Sequence, residues 1–251
     1  MTQPYNPYEA IARMPALHAV LAVDGLHFNA ARQKLSSLDE SSARIDDLIF
    51  DIAALENRRD EIEADQQADM DVRGNVPESD DLEDVFRELD DVEKQLAVAY
   101  GAHLTEVAAI QLLSAAALEA HINIAAEAHL PAKTWERFEW KSLRDKWRLF
   151  PAMIGRSGFD EHSEPFLAFS RLVCARNSLT HYKPRRELWS PLEMPRFVEE
   201  LGLTSTAAKE SVAATRAMIL ALSERLGIDA PPWLENGNVD YLEFEGQRWQ
   251  D

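Results

Sequence analysis

The chain has 251 residues, 26 Lys and Arg against 44 Asp and Glu, a formal net charge of −18 and a single cysteine. That length supports one sizeable core with or without an appendage, and nine Gly and twelve Pro among many Ala, Leu, Glu and Arg favour helices over a loop-rich β fold. Cys174 alone excludes an intrachain disulfide framework, and the lack of a spanning-length apolar run or a signal-like start over Met1 to Ala22 leads us to expect a cytoplasmic protein without membrane association.

Residues 1 to 32 read as an N-terminal docking segment. Ile11, Met14, Leu17 and Val20 or Leu21 keep helical spacing between Tyr8 and Val23 despite Pro15. Residues 33 to 100 read as an acidic helical hairpin. Leu38, Ile45 and Ile52 recur every seven residues, with Leu48, Leu55 and Ile62 between them, which is an a/d seam. The seam stops near Gln66, and Ala68 to Glu78, with Gly74 and Pro77, reads as a loop. A second seam follows in Leu82, Leu89 and Leu96 with Val85, Val92 and Ala99, so the pair is expected to form an antiparallel, coiled-coil-like hairpin. This arm suits dimerisation, spacing or a protein partner.

Residues 101 to 227 read as a compact helical bundle. Ala102 to Leu130 has no basic residue and is apolar on most sides, the pattern of a central buried helix ending at Pro131. Within it Glu119 and Asn123, four apart, share a face, and both need partners if buried. They serve either as a hydrogen-bonded core pair or as supports for the segment at 176 to 181. Trp135, Phe138, Trp140, Trp147, Leu149, Phe150 and Met153 lie among basic residues. Such aromatics either seal a core or stack nucleic-acid bases, and helical spacing favours the core. After a loop from Ser157 to Ser163, Ser163-Glu164-Pro165 reads as a helix start before Phe166, Phe169, Leu172 and Val173. Cys174 lies on that helix and is expected to be buried. A last helix spans Ser205 to Leu226 with Gly227 as its stop, and residues 228 to 251 form a tail, either a packed strap or an extended arm.

Charge is unevenly spread. Residues 1 to 100 hold 9 basic and 23 acidic residues, whereas 131 to 187 hold 12 basic and 7 acidic, the one basic block in the chain. It surrounds Arg176-Asn177-Ser178-Leu179-Thr180-His181, followed by Tyr182-Lys183-Pro184. An arginine, an amide and an imidazole supply a fixed cation, a hydrogen-bonding arm and a titratable group, which suit a phosphate. On a regular helix Arg176 and His181 point about 140° apart, but Pro184 places His181 in a loosened last turn. No glycine-rich phosphate loop, Cys-x-x-Cys or His-Glu-x-x-His is present, so neither metal nor nucleotide cofactor is expected.

In an all-α bundle the Arg176-x4-His181 spacing, with Asn177 after the arginine and Glu119-Ala120-His121-Ile122-Asn123 on an earlier helix, resembles the Arg-x(4 to 6)-His signature of HEPN (higher eukaryotes and prokaryotes nucleotide-binding) domains. The resemblance covers about residues 100 to 227. It implies a bundle of four or five helices, often a homodimer whose two motifs face each other, and metal-independent endoribonuclease activity of the toxin, defence or RNA-processing kind. On that basis Arg176 and His181 are the catalytic residues and RNA the partner. Asn177, Thr180, Glu119 and Asn123 support them, and Tyr182, Lys183 and Arg185 touch substrate. Other members only bind, which gives the alternative of a non-catalytic helical interaction or antitoxin-like protein.

Overall fold

The computed structural model describes residues 18–74, 80–181, 183, 195–235 and 242–245. Among these residues seven helices carry almost all of the regular structure: α1 (Val23–Arg73), α2 (Asp80–His129), α3 (Ala132–Phe138), α4 (Leu143–Met153), α5 (Phe166–Thr180), α6 (Arg196–Glu200) and α7 (Ser205–Leu226). A one-turn 3-10 helix, Pro232–Leu234, follows. The described fold is therefore all-α, apart from an antiparallel ribbon that pairs β1 (His18–Leu21) with β2 (Leu242–Glu245), His18 opposite Glu245 and Leu21 opposite Leu242.

α1 and α2 run antiparallel along their length. Ser37 donates to Glu106, Ser41 bonds His103 and Arg44 donates to Gln95, so partners on α2 fall as α1 advances. Heptad spacing keeps one stripe of each helix toward the other. Ile45, Leu48 and Ile52 are buried there against Val85, Leu89, Leu96 and Tyr100. α1 ends at Gly74, whose positive φ of 69° lets its N–H close on the Met70 carbonyl.

These helices differ from the sequence expectations in extent. α1 begins at Val23, inside the expected docking segment, and continues through Ala68 to Arg73, where a loop was expected. Val20 and Leu21 lie in a strand rather than a helix. α2 passes without a break through Gly101, so the expected boundary between hairpin and bundle lies inside a helix. Burial along the whole helix overrides the weak helix propensity of one glycine. The same two helices thus form both the acidic arm and the floor of the bundle.

At the bundle end α2 is the central helix. Val107, Ile110, Leu118 and Ile122 meet Trp147 and Phe150 of α4, Phe166 and Phe169 of α5 and Met218, Ile219 and Leu222 of α7 in one core. Side chains of this size each contribute about 1.5–3 kcal/mol when fully buried. By length and composition α2 is also the one described helix apolar enough to cross a membrane, against the expectation of no such stretch; 44% of that stretch is buried inside the fold. The 3-10 turn Pro232–Leu234 packs back as a strap. Trp233 is buried against Phe28 of α1 and His121 of α2. Gly25 allows this approach, since a Cβ there would lie 2.6 Å from Trp233 Cγ.

Candidate functional site

α5 carries the Arg176 to His181 segment. Its buried face is Phe166, Phe169, Leu172 and Val173, set by their helical spacing. That choice of face turns Cys174 outward: the thiol is exposed, contrary to the burial expected from its apolar neighbours. At the N-terminal end Glu164, rather than Ser163, caps the helix by accepting from the Ala168 N–H at 3.0 Å. The C-terminal end is His181, whose N–H still bonds the Asn177 carbonyl at 3.0 Å while its backbone leaves helical geometry at φ −116°, ψ 21°.

Within the motif Arg176 is half-buried and donates through Nη1 to Asn177 Oδ1 at 3.0 Å. The amide thus holds the guanidinium, which meets no carboxylate within 4.0 Å among the described residues. The Thr180 hydroxyl donates back to the Arg176 and Asn177 carbonyls, both at 3.1 Å. It closes the last turn instead of orienting Arg176 or His181 side chains. His181 and Lys183 are exposed, and no hydrogen bond joins His181 to Arg176 among the described residues. Tyr182 and Arg185 lie outside the described residues.

The expected supports are elsewhere. Gly202 sits between Gln111 of α2 and Ala175 of α5, while Trp147, bonded to the Leu118 carbonyl, contacts Phe169. α5 therefore runs opposite to α2, and Arg176 lies near the level of Ile110. Glu119 and Asn123 are roughly 13 to 20 Å further along that helix at about 1.5 Å per residue. Glu119 accepts instead from Lys146 Nζ at 3.3 Å, and Lys146 is only 2% exposed. Asn123 Oδ1 is buried without a hydrogen-bond partner among the described residues.

Part of the basic block is neutralised where it stands. Arg144 pairs with Glu161 at 3.2 Å, Arg148 with Asp145 at 2.8 Å and Arg171 with Glu164 at 3.1 Å. Glu161 is thus engaged while its neighbour His162 is exposed. Such surface pairs add little stability, but they remove cations from competition for an anionic ligand. Arg176 is left as an arginine held by an amide, beside an exposed imidazole.

Two buried polar clusters escaped the sequence reading. His121 Nδ1 lies 2.8 Å from Asp24 Oδ2, both buried, with the imidazole stacked on Trp147 and edge-on to Trp233. Their separation of 97 positions leaves no local signal. His103 sits between Ser41 Oγ at 2.8 Å and Ser205 Oγ at 3.3 Å, and burial holds its pKa below the ordinary value, with Glu106 partly opposing. An apolar cavity of about 290 Å³ opens between α2 and α6, lined by Tyr100, Leu104, Pro195, Phe197 and Val198 among others, and no motif residue lines it. Among the described residues no group of three or more His, Cys, Asp or Glu side chains could hold a metal ion. Comparison of the chain with models of protein families, with curated proteins and with solved structures gives no match.

Proposed function

We propose that this chain is a HEPN-like, metal-independent endoribonuclease of the toxin or defence kind, with its site at the C-terminal end of α5. The observation that carries the reading is the state of the motif: Arg176 is oriented by Asn177 and free of carboxylates among the described residues, and His181 is exposed in the capping turn. The α1–α2 arm, read as coiled-coil-like, and a cytoplasmic location belong to the same proposal.

The chemistry follows from those groups. The ribose 2′-oxygen attacks the adjacent phosphorus as its proton passes to a base. The P–O5′ bond breaks, and the departing 5′-oxygen takes up a proton, leaving a 2′,3′-cyclic phosphate and a 5′-hydroxyl. His181 serves as the base or as the acid, and Arg176 neutralises charge on the phosphorane. Because no hydrogen bond joins the two residues of one chain among the described residues, a homodimer completes the site, with His181 of one copy facing Arg176 of the other. The test is cleavage of RNA by the purified full chain in EDTA, with His181→Ala and Arg176→Ala as controls; intact RNA at enzyme excess on varied substrates sinks the proposal.

A second reading, a non-catalytic helical interaction or antitoxin-like protein, is favoured by Phe50, 74% exposed on the acidic arm. Deleting residues 33 to 99 cannot test it, because α1 and α2 also floor the bundle. Phe50→Ser is the suitable probe: it abolishes capture of a stable protein partner if this reading holds, while Arg176→Ala leaves capture intact.

A further inference from the structure

The aromatic residues from 135 to 150 divide sharply. Phe138, Trp147 and Phe150 are fully buried, and Trp135 is half-buried against Phe138 at 6.2 Å between ring centroids. Trp140 goes the other way and is 84% exposed. It sits in the elbow between α3 and α4, where both flanks are pinned. The Glu139 and Lys141 N–H groups bond the Trp135 and Phe138 carbonyls, both at 3.0 Å, and Ser142 caps α4 through the Asp145 N–H at 3.2 Å. The indole is therefore presented on a fixed backbone by an anchor residue two positions earlier.

Its neighbours are charged. Lys133 and Arg137, four apart, share a face of α3, and Lys141 follows Trp140 directly; all three are exposed. None has a carboxylate within 4.0 Å among the described residues, whereas Arg144, Arg148 and Arg171 are each paired. Glu136 and Glu139, also exposed, leave the elbow with three cations against two carboxylates in a chain of −18.

We infer that the α3–α4 elbow is a docking site for single-stranded nucleic acid, with a base stacked on Trp140 and the flanking phosphates met by Lys133, Arg137 and Lys141. An apolar protein partner wants an apolar ring around its anchor, and positions 136, 137, 139 and 141 are all charged. A strand offers a π-face and anionic phosphates together, which is what this surface complements. The inference takes its choice of strand from the ribonuclease reading but locates the binding surface away from the Arg176 and His181 segment.

Binding is measured by fluorescence anisotropy of a labelled single-stranded oligoribonucleotide and of its 2′-deoxy counterpart, titrated with the full chain in EDTA. Removal of one stacking ring weakens binding between about five-fold and about a hundred-fold, so Trp140→Ala is expected in that range and Trp140→Phe close to wild type. With three phosphate contacts at most, log K falls with log salt at a slope of about −2, and Lys133, Arg137 and Lys141 changed together to Ser flatten it. Trp140 is exposed, so the fold survives its replacement. Equal binding by wild type and Trp140→Ala, or no binding of either strand, overturns the inference. The 2′-deoxy strand lacks the attacking hydroxyl, so binding that depends on Trp140 with no RNA cleavage defeats the ribonuclease reading alone, and cleavage with no role for Trp140 defeats the inference alone.

Discussion

Replacing Glu119 by Ala isolates the Lys146 ammonium, and the structure sets the size of the effect. Lys146 is 2% exposed and its Nζ lies 3.3 Å from Glu119 Oε1, while the Glu119 side chain is 42% exposed. Breaking a fully buried pair costs about 3–5 kcal/mol. Solvent reaches this carboxylate and screens the pair, which brings the expected loss to about 2 kcal/mol. For a chain of this size that lowers Tm by about 4–8 °C. Lys146→Met keeps the volume and removes the buried charge, so it stays within about 1 kcal/mol of wild type. The double variant matches Lys146→Met, giving a coupling of about 2 kcal/mol in a guanidinium unfolding cycle followed by circular dichroism. The cycle also separates packing from catalysis, because the double variant retains any RNA cleavage the wild type shows. Glu119→Ala within about 0.5 kcal/mol of wild type, or a double variant as unstable as Glu119→Ala, refutes the assignment of Glu119 to Lys146.

Gly25→Ala places a Cβ 2.6 Å from Trp233 Cγ; overpacking of about 1–3 kcal/mol outweighs the roughly 1 kcal/mol gain in helix propensity, so denaturant melts show a net loss, and a stabilised variant contradicts the strap. His103 has a folded pKa below its ordinary value of 6.5 because it is buried, so the unfolded chain binds the proton more readily. The resulting stability is full above about pH 6.5 and declines as pH falls toward the lowered folded value, with a slope of at most about 1.4 kcal/mol per pH unit. Subtracting the His103→Gln stability curve from that of wild type isolates this slope, and a flat difference below pH 6.5 counts against it. Cys174 is exposed, so the native protein reacts with a thiol reagent without prior unfolding; reaction only after denaturation contradicts the orientation of α5.

Local periodicity made much of the helical architecture readable. α7 spans Ser205–Leu226 and stops at Gly227 in the left-handed region, as its apolar spacing and glycine indicated, and Phe166, Phe169, Leu172 and Val173 form the buried face of α5. What local pattern could not show is extent and long-range pairing. A boundary was expected between residues 100 and 101, yet tertiary packing carries α2 through it. Asp24 with His121 and Glu119 with Lys146 are separated by 97 and 27 positions, so only the assembled bundle reveals that these groups satisfy one another. Cys174 is exposed rather than buried for a related reason. Apolar character indicates that a residue favours burial, but the face a helix turns inward is chosen by its largest contiguous stripe. The candidate site was legible as residue types at a spacing. Its local geometry, with Arg176 tied to Asn177 and Thr180 tied to the backbone, was not.

The most direct measurement is cleavage of single-stranded RNA by the full chain in EDTA, comparing wild type with Arg176→Ala and His181→Ala and identifying the product ends. The ribonuclease account predicts 2′,3′-cyclic phosphate ends from the wild type and a rate loss of about a hundred-fold or more in either variant. RNA left intact by excess wild-type protein, or cleavage that both variants retain, contradicts it.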